Sequence, residues 1–200
     1  MLPVHESAPL ADDDALLISA VQSRDRAALK RLYLGYHPRL ARLLAQMTVR
    51  GPDVEDIIND TFAVVWTHAT AFRYESLVTT WIFGIAYRLT MRSLRRQKMR
   101  LPEWSGDILE GQCADPVPDT EMMNRVERAL GRLPVPLRIT VTLAYQMGFG
   151  IEEISEITKT PISTVRARMF DARWRLRELV EELGGAVHQS NSKCSLSKNL

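Results

Sequence analysis

Apolar residues recur at intervals of three and four along most of the chain and nowhere alternate over the length of a strand, a pattern that predicts an almost wholly helical protein. Asp12, Asp13 and Asp14 lead into Leu16, Leu17, Ala20 and Val21, which reads as a capped amphipathic helix. Asp25 opens another through Leu29, Leu32 and Tyr33. A third follows Pro38 through Leu40, Leu43, Leu44 and Met47, and stops at Arg50-Gly51-Pro52-Asp53 because glycine and proline cannot extend the pattern. Residues 54–70 and 79–100 give two further helices, joined by residues 71–78.

Residues 101–120 break the pattern. Prolines, glycines and acids there cannot sustain a helix, and the segment is too long for a tight connection. The chain is therefore expected to hold an N-terminal tail (1–11), a helical domain (12–100), an acidic flexible linker (101–120), a smaller helical domain (121–183) and a mobile, serine-rich C-terminal tail (184–200). The fold class is all-α with two small domains.

Within the second domain, residues 151–177 read as a short acidic helix, a tight turn and a longer basic helix, the pattern of a helix-turn-helix. Ile151, Ile154 and Ile157 keep helical spacing, with Glu152, Glu153 and Glu156 on the first turns where carboxylates suit the helix dipole. Thr160 and Pro161 form a helix start, a hydroxyl that can cap and a proline whose missing N–H costs nothing there. Beyond them Val165, Met169, Ala172, Leu176, Leu179 and Leu183 share a stripe that must be buried. Ser163, Arg166, Phe170, Arg173 and Arg177 share a neighbouring face, free to meet base edges and phosphates. A solvated basic face explains the same pattern when this segment is taken alone.

Charge sharpens the picture. The net charge is only +2, yet residues 87–100 carry six Arg/Lys and no acid, whereas residues 101–121 carry six Asp/Glu and no base. Such segregation makes an electrostatically divided molecule. The two cysteines, Cys113 and Cys194, have no framework spacing, which fits a reducing cytoplasm. His5, His37, His68 and His188 are scattered without metal-ligand spacing, so neither a metal nor a cofactor is expected. No apolar run approaches a membrane span, and the N-terminus lacks a signal pattern.

Two surfaces of the first domain stand out. On residues 54–66, Ile57, Ile58, Phe62 and Val65 face one way, and Glu55, Asp56, Asn59 and Asp60 the other. A solvated helix side accounts for that face. Paired carboxylates could serve acid-base chemistry, but no nucleophile, metal ligand or phosphate loop lies near in sequence, so an enzyme is not expected. The second surface begins at Phe72-Arg73-Tyr74-Glu75-Ser76 and runs through Trp81 to Arg88, Arg92, Arg95 and Arg96. Aromatics interleaved with arginines suit single-stranded nucleic acid, flat faces for unstacked bases and charge for the backbone. Phe83 reads as core; Trp81 fits packing and base stacking equally.

The order of an acidic helix ending in Trp66, an FRxES loop, a TWIFGIA helix running into arginines, an acidic linker and a helix-turn-helix introduced by Leu133-Pro134 resembles the extracytoplasmic-function sigma factors of bacterial RNA polymerase. That resemblance spans about residues 16–183. It implies that the 54–66 helix docks on the large-subunit clamp of core RNA polymerase through Asp56, Asn59 and Asp60. It implies that Phe72, Arg73, Tyr74, Glu75 and Ser76 accept a flipped minus-10 base, and that the helix bearing Trp81, Arg88, Arg92, Arg95 and Arg96 helps open promoter DNA. Thr160, Ser163, Thr164, Arg166, Ala167, Arg168 and Arg173 would meet the minus-35 element. The acidic linker would thread into the polymerase, and an anti-sigma factor is implied as a further partner. The sequence departs from the family where Arg88 and Arg92 replace an asparagine and an aspartate, where Lys159 replaces a glycine, and where Thr158 replaces a leucine. The alternatives from other classes are a stand-alone helix-turn-helix repressor or activator and a helical protein-interaction module.

Overall fold

A computed structural model of the chain describes residues 11–47, 54–100 and 121–194, with side chains over 13–47, 54–96 and 125–183. The expected linker, the N-terminal tail up to residue 10 and the last six residues lie outside that set. The described residues form eight α-helices and no strand: α1 (Ala11–Gln22), α2 (Arg26–Met47), α3 (Val54–His68), α4 (Val78–Arg100), α5 (Glu121–Arg132), α6 (Val135–Val141), α7 (Ile151–Thr158) and α8 (Ile162–Cys194). A single 3-10 turn, Ala69–Ala71, ends α3, and a π-helical stretch, Thr142–Gln146, continues α6.

The expected break at Pro38 does not occur. Pro38 lies inside α2, which runs unbroken through it. The proline removes a hydrogen bond to the carbonyl of Leu34, but Leu34, Gly35 and Pro38 all face water, which solvates that carbonyl. On the opposite side Leu32, Tyr36, Leu40, Leu43 and Leu44 are buried, and their packing holds both halves on one axis. The start of α2 is as expected: Asp25 Oδ1 accepts from the backbone N–H of Ala27 at 2.7 Å and of Ala28 at 3.4 Å.

The inward face of α1 also differs from its apolar pattern. Ile18 and Val21 are fully buried, but Asp14 goes inside with them while Leu16 stays 69% exposed. A buried carboxylate is tolerable only with partners, and Tyr36 supplies one: its hydroxyl donates to Asp14 Oδ2 and lies 3.0 Å from Thr79 Oγ1. Burial raises the Asp14 pKa above the ordinary carboxylate value, with the Tyr36 hydrogen bond opposing.

At the other end, α8 does not stop at Gly184-Gly185. Its backbone remains helical to Cys194, overrunning the expected boundary at residue 183. A glycine in a helix interior costs about 1 kcal/mol, which weakens a helix without forcing its end.

The main core begins among α1 to α4 and does not end there. It runs through Phe83 and Phe149 into Val135, Ile139, Leu143, Ile154, Ile157 and Val165 of the C-terminal half. A smaller cluster, Leu130, Leu133, Leu137, Val141 and Ala172, fastens α5 and α6 to α8. The two helical units thus share one continuous apolar interior.

Candidate nucleic-acid and polymerase interfaces

On α3 the division of faces follows the sequence pattern. Ile57, Ile58, Thr61, Phe62 and Val65 are buried, and Glu55, Asp56, Asn59 and Asp60 are exposed. Neighbours on α2 trim this acidic face at two points: His37 Nε2 meets Glu55 Oε2 at 2.9 Å, and the Tyr33 hydroxyl donates to Asn59 Oδ1 at 3.4 Å. Asp56 and Asp60 project to solvent beyond them.

The loop after the 3-10 turn is built on a cluster of tilted aromatic rings. Phe72 is buried, with its ring 4.7 Å from Trp81 and 5.0 Å from Tyr74 between centroids. Such offset rings attract beyond their area of contact by about 0.5–1.5 kcal/mol. Trp81 is half-buried, so it packs on Phe72 and still keeps an open side. Tyr74 has a φ of +60° and is 47% exposed. A left-handed backbone at a bulky residue costs on the order of 1–3 kcal/mol and persists only where its surroundings hold it. Arg73 and Glu75 are exposed beside it and Ser76 is half-buried.

From this loop α4 leads away with Arg88, Arg92, Arg95 and Arg96 exposed. The first half of the helix is covered by α7. Gly84 faces that contact: a Cβ placed there would stand in ordinary van der Waals contact with the Cα of Ile157 at 3.8 Å and 3.1 Å from the end of the flexible Arg88 side chain. Thr80 Oγ1 donates to Glu153 Oε1 at 3.2 Å, while the other oxygen of Glu153 accepts the Gly150 N–H at 2.8 Å and so caps α7. One carboxylate serves both the helix start and the seam. The Phe83 and Phe149 rings meet edge to face at 5.0 Å, and Arg39 lies over Phe83 at 5.3 Å while donating to the Met147 carbonyl at 3.4 Å. Arg88 sits at the rim of this seam, where burial lowers its pKa against the opposing charge of Glu156.

The helix-turn-helix is held by backbone geometry rather than by composition. Lys159 adopts φ +50° and ψ +43°, the left-handed conformation for which glycine is the usual choice. The strain of about 1–2 kcal/mol is offset locally. Thr160 N–H donates to Ser155 O at 3.1 Å, Ser155 Oγ to Thr160 O at 2.7 Å, and Ile154 and Ile157 are fully buried. Each such Ile contributes roughly 1.5–3 kcal/mol, so the turn is fixed with a lysine in it. Thr158 is buried and satisfied by the Ile154 carbonyl at 2.7 Å. The Thr160 hydroxyl does not cap α8 as its position suggests; it donates back to Thr158 O at 3.3 Å.

Along α8, Val165, Met169 and Ala172 are buried as their spacing requires, whereas Leu176, Leu179 and Leu183 of the same stripe are only half-buried. Ser163, Arg166, Ala167 and Arg173 are exposed, and Thr164 is half-buried. Arg168 points elsewhere: it is half-buried, reaches Thr160 Oγ1 at 3.5 Å, and lies close enough to Tyr87 of α4 to oppose the rise in pKa that burial gives that phenol. The exposed face carries two large rings besides its arginines, Phe170 at 72% and Trp174 at 57% exposure. The four-residue spacing from Arg166 to Phe170 to Trp174 places them on the same side as Arg166. A third ring, Tyr145 on the π-helical stretch, meets this face through Arg173, whose Nε donates to the tyrosine hydroxyl at 2.7 Å. That meeting spans 28 residues, and no local pattern announces it.

Residues 32–100 match the family model of sigma-70 region 2, and residues 123–176 match that of sigma-70 region 4. The extracytoplasmic-function RNA polymerase sigma-E factors of Salmonella typhimurium and of Escherichia coli K12 are each 29% identical over 183 residues, covering 85% of this chain and 95% of the relative. The sigma-E factor of Haemophilus influenzae is 29% identical over 185 residues, covering 85% and 96%. Among solved structures, the sigma factor RpoE of Bartonella quintana, bound to the anti-sigma factor NepR, superposes with a TM-score of 0.65 at 23% identity, covering 76% of this chain and 96% of that one. CnrH bound to the cytosolic domain of CnrY superposes with a TM-score of 0.62 at 22% identity, covering 84% and 97%. At those identities the likeness establishes the fold.

Proposed function

The chain belongs to the sigma-70 family as an extracytoplasmic-function sigma factor, and on that premise we propose which of its faces perform each part of the work. A sigma factor joins core RNA polymerase and directs it to promoters, where transcription initiates. The phosphodiester bonds are made by the polymerase, so this chain supplies recognition and strand opening and is not itself an enzyme. Its place of action is then the cytoplasm, where polymerase meets the chromosome.

Asp56, Asn59 and Asp60 form the docking face for the large-subunit clamp. All three are exposed on one side of α3 while its apolar side is locked in the core, so the acidic groups are held on a rigid element. The loop of Phe72, Arg73, Tyr74, Glu75 and Ser76, with Trp81 behind it, takes an unstacked minus-10 base. A ring surface already assembled by Phe72 and Trp81 spares the cost of organising it on binding. Arg92, Arg95 and Arg96 follow the strand, and Arg88 joins them from the rim of the α4–α7 seam. The minus-35 element is read from α8, by Ser163, Arg166 and Ala167 at base edges and by Arg173 at phosphate, with Thr160, Thr164 and Arg168 placing the start of the helix. An anti-sigma factor is the expected negative regulator.

The observation that carries this reading is the joint exposure of an acidic face on α3 and a basic face on α8, mounted on one continuous core. Reconstitution with core polymerase tests it. Reversal of Asp56 and Asp60 to Lys is expected to weaken association with core by tenfold or more, on the order of 1.4 kcal/mol, with the fold intact. In a promoter-library measurement on the holoenzyme, Arg166→Ala is expected to change which minus-35 bases are preferred, a base contact being worth about 1–3 kcal/mol of discrimination. Failure to associate with core, together with tight sequence-specific binding of duplex DNA by the free chain, would favour a stand-alone regulator instead.

A further inference from the structure

Tyr145 and Arg173 are both solvent-facing, yet they are joined. Arg173 Nε donates to the Tyr145 hydroxyl at 2.7 Å, its guanidinium carbon lies 5.8 Å from the centre of the ring, and Tyr145 as a whole is 59% exposed. Holding two long exposed side chains in one geometry sacrifices rotamer freedom for one bond that water could replace, so the pairing adds little to stability. What it does is orient donors. A guanidinium has five N–H groups in a fixed fork, and the bond to tyrosine uses only the Nε edge. The Nη groups make no hydrogen bond or ion pair among the described residues, so their N–H donors stay available. The hydroxyl, having accepted from Arg173, keeps its own proton to donate.

The result is a neutral O–H and a charged N–H pair held side by side, a donor set that matches the non-bridging oxygens of one phosphodiester. Its position agrees. Arg173 follows Arg166 by seven residues, about 10.5 Å along the helix axis. A helix with its first turns in a major groove about 12 Å wide brings the turn that begins near Arg173 to the bordering backbone. Tyr145 approaches from outside α8, on the stretch that precedes α7, so the pair links the two halves of the C-terminal unit at the same spot.

We propose that Tyr145 and Arg173 form one composite phosphate site flanking the minus-35 groove, in which Tyr145 fixes the Arg173 guanidinium and donates its own O–H to the same phosphate. This rests on α8 being the minus-35 reader. Tyr145 is thereby a positioning residue and a backbone contact, with no part in choosing bases.

The test uses holoenzyme assembled from core polymerase and the full chain, on a promoter taken from the library selection, with each phosphate of the minus-35 region replaced in turn by a neutral methylphosphonate. Tyr145→Phe keeps the ring and removes only the hydroxyl, and unchanged thermal unfolding of this variant confirms the fold. It is expected to weaken binding roughly three- to tenfold at every minus-35 sequence alike. The deficits of Tyr145→Phe and Arg173→Ala should vanish on the same neutralised phosphate, and the double variant should bind no worse than Arg173→Ala alone. Full affinity of Tyr145→Phe, strictly multiplicative losses, or losses that map to different phosphates would overturn the composite site and leave the minus-35 reading standing. If no phosphate in the region matters and Arg166→Ala leaves base preference unchanged, the minus-35 reading falls and the proposal falls with it.

Discussion

Helices α4 and α8 carry the same kind of signal, arginines recurring on one side of an amphipathic helix, and they meet the same neighbour, α7. Their outcomes differ. On α8 the arginine face is open from Arg166 through Arg173 and Arg177, and only Arg168 turns inward. On α4 the face is open only toward its end, because α7 lies across Thr80, Gly84 and the rim at Arg88. The sharing of α7 explains the asymmetry: its buried Ile154 and Ile157 pack in the common interior, and its Glu153 is turned to Thr80. A row of like charges therefore marks a face that could bind an anion, and the neighbour decides how much of that row is free.

The strongest way to break this comparison is at Phe83, which is fully buried against Tyr36, Arg39 and Phe149 where the two units join. Phe83→Ala is expected to cost about 3–5 kcal/mol. Because the core is continuous, urea unfolding followed in both halves should show them losing stability together. Separate transitions, with the C-terminal half unaffected, would mean that the shared interior does not couple them.

A milder intervention separates the helices without emptying the core. A Cβ at Gly84 would already touch the Ile157 backbone, so the larger side chain of Gly84→Leu should crowd the seam and weaken it by roughly 1–3 kcal/mol. The expected outcome is an increased radius in X-ray solution scattering and greater accessibility of Arg88, with α8 unaltered. An unchanged radius would show that α7 accommodates the side chain.

The smallest effect concerns the polar cluster behind α4. Burial raises the folded-state pKa of Asp14 above its unfolded value of about 3.8. The native state therefore holds that proton more tightly than the unfolded one. The contribution of Asp14 is most favourable below the unfolded pKa and declines as pH rises through the folded pKa. Asp14→Asn, which keeps an acceptor for Tyr36, should flatten the pH dependence of stability over that acidic window. An unchanged pH profile of the melting temperature would remove Asp14 as its source.

Much of the fold can be read from the residues. Ile57, Ile58, Phe62 and Val65 are buried as their spacing on α3 demands, as are Val165, Met169 and Ala172 on α8, because a helix in water has only one way to hide an apolar stripe. Glycine and proline are less decisive. Pro38 reads as a break and is absorbed, since its lost bond faces water, and Gly184-Gly185 reads as an end and is crossed. Leu16 and Asp14 exchange their expected places because a hydroxyl on another helix was waiting for the carboxylate.

The sequence by itself determined the helical class, the helix-turn-helix with a lysine in its turn, the acidic side of α3 and the rows of arginine, since each depends on contacts within a few residues or on one helix face. Only the tertiary structure decided which of those charges stay in water. Arg168 turns toward α4, Glu153 joins the cap of α7 to Thr80, and Tyr145 holds Arg173 across 28 residues of chain. These depend on where separate helices cross, and crossing is set by the fit of buried side chains from distant segments, which no local periodicity encodes.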